Sequence, residues 1–242
     1  MNNKMRLELE PFAPPRTPRK VELACEPPKF RDMEYYPEPR PDKIAELESG
    51  ILYIDLDRVG DKEWPDALAR ARQAKAIVFD MRGYPSGPGI QALRHLTKET
   101  IRSARWNIPS PAKPDRLATT FIESGWPVQP AEPYIDVPRV FLTDGRAISY
   151  AETVMGIVEN YRLAGIVGEP TAGTNGNVNP FRLPGGYTVA WTGMKVLKHD
   201  GSQHHGIGIL PTVPASRTRA GVAAGRDEIL DSAVTYLKSK LN

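Results

Sequence analysis

Only one of the 242 residues is a cysteine, Cys25, so no internal disulfide framework holds this chain and its stability has to come from a packed core. Neither sign of charge dominates. Thirty-two basic residues against 29 acidic ones leave a formal charge of +3, too small and too evenly spread to point to a nucleic-acid partner. No run approaches the roughly 18 apolar residues of a membrane-spanning helix. The opening Met1-Asn2-Asn3-Lys4-Met5-Arg6 carries charge but no apolar run after it, so it does not read as a signal peptide.

Proline, by contrast, is plentiful, with 24 in the chain and a dense group between Pro11 and Pro41. Proline fixes φ and removes a backbone donor, so residues 1–48 read as an extended, linker-like N-terminal remnant in which only Lys20–Cys25 looks like a strand. Residues 49–242 then form the folded core domain.

Within that core, Ile51–Leu56 is a first strand. Residues 64–75 place Ala67, Leu68, Ala71 and Ala74 at helical spacing, and Ala76–Asp80 is a continuous apolar run. Strand, helix and buried strand in that order predict a right-handed crossover and an α/β class. A turn rich in glycine and proline follows, Asp80–Gly89, and then helical patterning from Ile90 to Thr97. The stretch from Trp106 to Glu132 reads as a long irregular excursion. Val137–Thr143 is the next strand, Ala151–Tyr161 a helix, Gly165–Gly168 a short buried strand and Glu169–Pro180 a loop. Tyr187–Val196 alternates like one strand, and Asp227–Leu241 closes the chain as a helix with Ile229, Leu230, Ala233, Val234 and Leu237 on one side.

Two glycine-rich turns follow buried strands, one after Phe79 and one after Leu142, and both should open at the carboxyl edge of the sheet, where α/β sites gather. Ser149 lies in the second, between strand and helix. With Glu152 three residues later it reads as the N-cap of a capping box; a serine so placed can also be a nucleophile if backbone amides face the developing oxyanion. Neither turn has the spacing of a phosphate-binding loop. His199, His204 and His205 lack the helical spacing of zinc ligands, so neither metal nor cofactor is expected.

Four blocks, taken in order, resemble the catalytic core of the S41 serine peptidases, the carboxy-terminal processing and tricorn-like proteases. "AIVFDMRGYPSG" is similar to the family's apolar strand and Asp-Leu-Arg-Gly-Asn-Pro-Gly-Gly, and "VFLTDGRAISYAE" to its strand, small-residue turn and Ser-Ala-Ser-Glu. "AGIVGEPTAGTNGNV" resembles Val-Gly-Glu-x-Thr-x-Gly-Lys-Gly, and "LPGGYTVAWTGMKVLKHDGSQHHGIGILPTV" the closing strands and the Gly-Val-x-Pro-Asp-Val ending.

This resemblance implies a ClpP/crotonase-like α/β fold, a mixed sheet with flanking helices. It also implies a serine-type peptidase acting on peptide or protein substrates through an acyl-enzyme on Ser149. Tyr150 would supply one oxyanion amide and the Ser86-Gly87 turn the other. Asp80 and Arg82 would pair to hold that turn. A periplasmic or extracytoplasmic location follows by the same resemblance.

The motif departs at the base. The processing proteases carry a lysine in Gly-Lys-Gly, and that frame here gives Gly173-Thr174-Asn175. A threonine hydroxyl cannot serve as general base near neutral pH. The tricorn-like branch uses an upstream histidine oriented by a glutamate, but no histidine precedes His95, and His205 stands at about the glutamate position. The expectation is that His205 assists or that the base lies outside this chain. The other reading is a non-catalytic member of the fold that binds peptides or apolar ligands.

Overall fold

The computed structural model describes residues 4–11, 14–24, 39–85 and 87–241; Cys25 and Ser86 lie outside them. The chain divides into two compact units, residues 1–39 with 217–227, and residues 40–216 with 228–242.

In the first unit, β1 (Lys4–Leu9) pairs antiparallel with β2 (Arg19–Ala24), from Lys4↔Ala24 to Leu9↔Arg19. Glu22 bridges Lys4 at 2.6 Å and Arg6 at 3.1 Å across the ladder. The expected strand at Lys20 is therefore present, with a partner that the sequence reading passed over: "KMRLEL" alternates polar and apolar residues, the pattern of a strand with two different faces. A short helix, Arg219–Ala223, is capped by Thr218 Oγ1, which accepts from Gly221 N at 2.9 Å.

The second unit is built on a six-stranded mixed sheet. Its strands are β3 (Ile44–Glu46), β4 (Ile51–Asp55), β5 (Ala76–Asp80), β10 (Arg139–Thr143), β11 (Gly165–Gly168) and β15 (Val213–Pro214), in the spatial order β15-β11-β10-β5-β4-β3. β3 is antiparallel to β4 and every other neighbouring pair is parallel. The connections are the helices α1 (Trp64–Ala71), α2 (Gly89–Arg94) and α3 (Tyr150–Tyr161).

Alternation along the strands sorts the core into two layers. Leu52, Ile54, Ile77, Phe79, Phe141 and Ile166 pack with the inner faces of α1, α2 and α3. Ile51, Tyr53, Val78, Val140, Leu142 and Val167 pack against Ile229, Leu230, Ala233 and Leu237 of the C-terminal helix, Glu228–Leu241. Each Ile or Leu buried there contributes about 2 kcal/mol by area. Strands covered on both faces must be apolar throughout, which is why these runs were readable from the sequence.

Two expectations are corrected. The stretch from Trp106 to Glu132 is largely ordered, because β7 (Arg105–Ser110) pairs with β8 (Thr120–Ser124), and β9 (Pro127–Val128) pairs with β6 (Ile101–Arg102). Pro109 is tolerated because the second neighbour of β7 reaches only Arg105–Asn107, so the missing donor interrupts no ladder on that side. The single strand expected over Tyr187–Val196 is two. β13 (Thr188–Thr192) forms a hairpin with β12 (Val178–Arg182), while β14 (Lys195–Leu197) joins β7. The break falls at Gly193, where an added Cβ would lie 2.8 Å from Asn179 Nδ2.

Candidate active site

Because β4, β5, β10 and β11 run parallel, the loops after them open along one edge, and in register Asp55 stands opposite Asp80 and Thr143 opposite Gly168. Gly168 has φ +129°, and a Cβ there would lie 2.2 Å from Thr143 O. Only glycine lets the two strand ends come this close.

Ser149 ends the loop after β10. Its backbone, at φ 52° and ψ −108°, is outside the ordinary regions for a residue with a Cβ. Such a conformation costs about 1–3 kcal/mol and persists only when its surroundings enforce it. They do so here. Ser149 N donates to Thr174 O at 2.8 Å, Thr153 N donates to Ser149 O at 3.0 Å, and Ala172 N donates to Ala147 O at 3.1 Å. Asp144 closes the start of the turn, accepting from Arg146 N at 2.9 Å and from its guanidinium. The capping box with Glu152 is also present, and its firmer half is Glu152 Oε2, which accepts from Ser149 N at 3.3 Å; the serine hydroxyl makes no directed cap bond. Ser149 is thus cap and strained turn at once.

Glu152 does more than cap. Its buried carboxylate accepts from Thr171 Oγ1 and Gly173 N at 2.7 Å on Oε1, and from Thr174 N at 2.8 Å on Oε2. His204, also buried, brings Nε2 within 3.3 Å of Oε1, near enough for attraction but too poorly aligned for a directed hydrogen bond. Burial alone would push the pKa of this carboxyl up. The imidazole, the threonine hydroxyl and the amide outweigh it and hold the group below its ordinary range. Sequence reasoning saw only the Ser-x-x-Glu spacing; Thr171 and His204 carried no local signal.

The second turn, after β5, rests on a buried charge network. Arg82 is 1% exposed and binds Asp80 through Nη2 at 2.6 Å and Nε at 3.0 Å. Tyr53 OH donates to Asp80 at 2.7 Å and lies 3.1 Å from Asp55, and Arg40 reaches Asp55 at 3.1 Å and the Arg82 carbonyl at 2.6 Å. Burial pushes the Asp80 carboxyl up, but the two guanidiniums and Tyr53 more than reverse it. Burial beside two carboxylates drives the Tyr53 phenol strongly up. The expected Asp80–Arg82 pair is present and is the centre of a larger assembly. From it the turn leaves at Gly83, whose φ of +149° presses its backbone against Asp57, and Asp57 Oδ1 accepts from Tyr84 N at 3.1 Å. Gly87 packs as closely on Asp61.

Of the residues singled out from sequence, Ser149 and Tyr150 are consecutive at the start of α3, and Gly87 lies in the turn after β5. Tyr150 also reaches that turn, its OH accepting from Ile90 N at 2.9 Å. Thr174 joins the site through its backbone, its N–H on Glu152 and its carbonyl on Ser149, with its side chain exposed. His205 is half-buried with Nε2 3.0 Å from Asn175 O, where it donates. His95 and His199 bond elsewhere, to Pro133 O and Arg102 O. Among the described residues, no group of three histidines, cysteines or carboxylates could hold a metal, and no helix is long and apolar enough to cross a membrane.

Residues 50–215 match the model of peptidase family S41. No curated protein sequence matches the chain. Among solved structures, it is similar to a candidate peptidase from Parabacteroides merdae, at 18% identity and a TM-score of 0.66, covering 80% of this chain and 63% of that one. It is also similar to mature CPAF complexed with lactacystin, at 13% identity and a TM-score of 0.67, covering 100% of this chain and 67% of that one. The photosystem II D1 C-terminal processing protease superposes with a TM-score of 0.51 at 17% identity, over 88% of this chain and 55% of that one. The chain thus spans between about half and two thirds of these proteins.

Proposed function

The chain belongs to peptidase family S41, and from that premise we propose that it is a serine-type peptidase whose nucleophile is Ser149. The observation that carries this reading is the backbone of Ser149, held at φ 52° by Thr174, Glu152 and the start of α3. A helix cap needs no such strain, whereas a nucleophile presented at a tight turn does. In the proposed reaction Ser149 Oγ attacks the scissile carbonyl and passes its proton to a base. The carbon becomes tetrahedral, its oxyanion taking hydrogen bonds from Tyr150 N and from the turn at Ser86-Gly87. The amine leaves with a proton, and water then hydrolyses the ester on Ser149. One such oxyanion donor lowers the barrier by about 3 kcal/mol.

The base is not the residue at position 174. It comes from His205, after its Nε2 leaves Asn175 O, or from a group outside these 242 residues. A second reading, a non-catalytic member that binds peptides or apolar ligands, is favoured by one observation: the His205 nitrogen is already committed to Asn175 O.

A fluorophosphonate probe tests both. Labelling of the chain, and of the same chain extended upstream in its gene, that disappears in Ser149→Ala supports the peptidase. Labelling of the extended protein alone assigns the base to the added residues, and loss in His205→Ala assigns it to His205. Folded protein that is never labelled, extended or not, overturns the proposal.

A further inference from the structure

The two turns that would cradle the oxyanion each carry a tyrosine, Tyr84 in the turn after β5 and Tyr150 directly after Ser149. Their rings meet at 6.1 Å. A third ring, Trp126, arrives from the segment between β8 and β9 and stands 6.0 Å from Tyr150 at 62°. Behind it, Trp106 of β7 packs edge-on at 4.5 Å. Three separate pieces of chain thus converge to place aromatic rings beside the nucleophile, although Tyr84 is 50% exposed and Trp126 43% exposed.

Exposed aromatic rings are ordinarily loose, but here the backbone carrying Tyr84 and Trp126 is pinned and the Tyr150 ring is held by its hydroxyl. Tyr84 N donates to Asp57, Tyr150 OH accepts from Ile90 N, and Trp126 is tied to Ser103 twice, its N–H donating to Oγ at 2.8 Å and its carbonyl accepting from Ser103 N at 2.9 Å. Gly89 keeps room for the second ring, since a Cβ there would lie 3.2 Å from Tyr150 Cε1. A rigid, half-exposed aromatic wall gives large apolar contact for little loss of side-chain freedom, which is what a side-chain subsite requires. In "AIVFDMRGYPSG" and "VFLTDGRAISYAE" the two tyrosines stand where the S41 motifs quoted above have asparagine and alanine, so the wall belongs to this chain.

We propose that Tyr84, Tyr150 and Trp126 form the subsite for the substrate residue whose carbonyl is attacked, and that it takes an aromatic or large aliphatic side chain. The occupant is placed by the turns themselves: the two segments that would hold the carbonyl oxygen carry Tyr84 and Tyr150, and Trp126 closes on Tyr150 from a third. This assignment rests on the peptidase reading for its orientation.

Binding is measured first on Ser149→Ala, by isothermal titration with peptides ending in Phe, Leu, Gly, Asp or Lys as free carboxylates, mimicking the product. The Phe and Leu peptides bind about tenfold tighter than Gly or more. Trp126→Ala and Tyr84→Ala cut that ratio to about threefold or less, with near-ultraviolet circular dichroism confirming that each variant is folded. Equal affinities across the series, or a preference for Lys drawn by Asp57 and Asp61, would falsify the subsite. Aromatic preference without fluorophosphonate labelling leaves the wall standing as a binding surface and removes the peptidase. Labelling without preference removes the wall alone.

Discussion

Glu152 offers the sharpest test, because the geometry makes its closest analogue a poor replacement. Both carboxylate oxygens are occupied, Oε1 by Thr171, Gly173 N and His204, and Oε2 by Thr174 N and Ser149 N. In Glu152→Gln one oxygen becomes an NH2. Turned toward Oε1, that group faces Gly173 N; turned toward Oε2, it faces Thr174 N and Ser149 N. Either way at least one buried backbone donor meets another donor, at about 1–3 kcal/mol for each unsatisfied group. The glutamine variant should therefore lose about 2 kcal/mol. Glu152→Ala, which strips partners from every donor at once, should lose on the order of 4 kcal/mol.

Urea denaturation followed by tryptophan fluorescence reads this directly, since Trp64, Trp106, Trp126 and Trp191 all lie in the second unit. The pH dependence has a defined sign. The carboxyl is held below its ordinary value of 4.5, so its contribution is complete above that pH and is lost as the pH falls through the folded-state value. The stability gap between native protein and Glu152→Gln should accordingly be flat above that pH and close below it. A glutamine variant within about 0.5 kcal/mol of native at neutral pH, or a gap that widens on acidification, would refute the hub.

Other outcomes follow from the same geometry. Ser149→Gly relieves the positive φ and should raise stability by about 1 kcal/mol in urea melts while abolishing fluorophosphonate labelling, and a loss of stability would show the backbone is unstrained. Tyr53→Phe removes the hydroxyl between Asp55 and Asp80 and should cost about 1.5–3 kcal/mol, read as a shift in the urea midpoint; an unchanged midpoint would mean the arginines alone satisfy both carboxylates. Gly168→Ala drives a methyl into Thr143 O and should cost about 3 kcal/mol or more, leaving little folded protein in circular dichroism at 37 °C, and a native-like spectrum would contradict the close approach of the strand ends.

The central strands were legible because Ile51–Asp55, Ala76–Asp80 and Val140–Thr143 are covered on both faces, and double burial leaves little but apolar residues. The hairpin of β7 and β8 was not: it is mostly exposed, and its proline and polar residues carry a loop's composition. At the site, the Ser-x-x-Glu spacing marked Ser149 and Glu152, because capping is a local interaction within one turn of helix.

What Glu152 holds was beyond that reach. Thr171, Gly173, Thr174 and His204 lie 19 to 52 residues away along the chain; the parallel register of β10 and β11 brings the loop of the first three to the start of α3, and His204 arrives from the segment between β14 and β15. The same holds for Tyr84, Tyr150 and Trp126, three unrelated positions until the folded core brings their segments together. Residue order determined the central strands, their helices and the Ser149–Glu152 cap, since these rest on periodicity and near neighbours, and the resemblance of its motifs marked Ser149 as the candidate nucleophile. Tertiary structure decided what the nucleophile leans on and what faces it, since those contacts exist only where distant loops meet at one edge of the sheet.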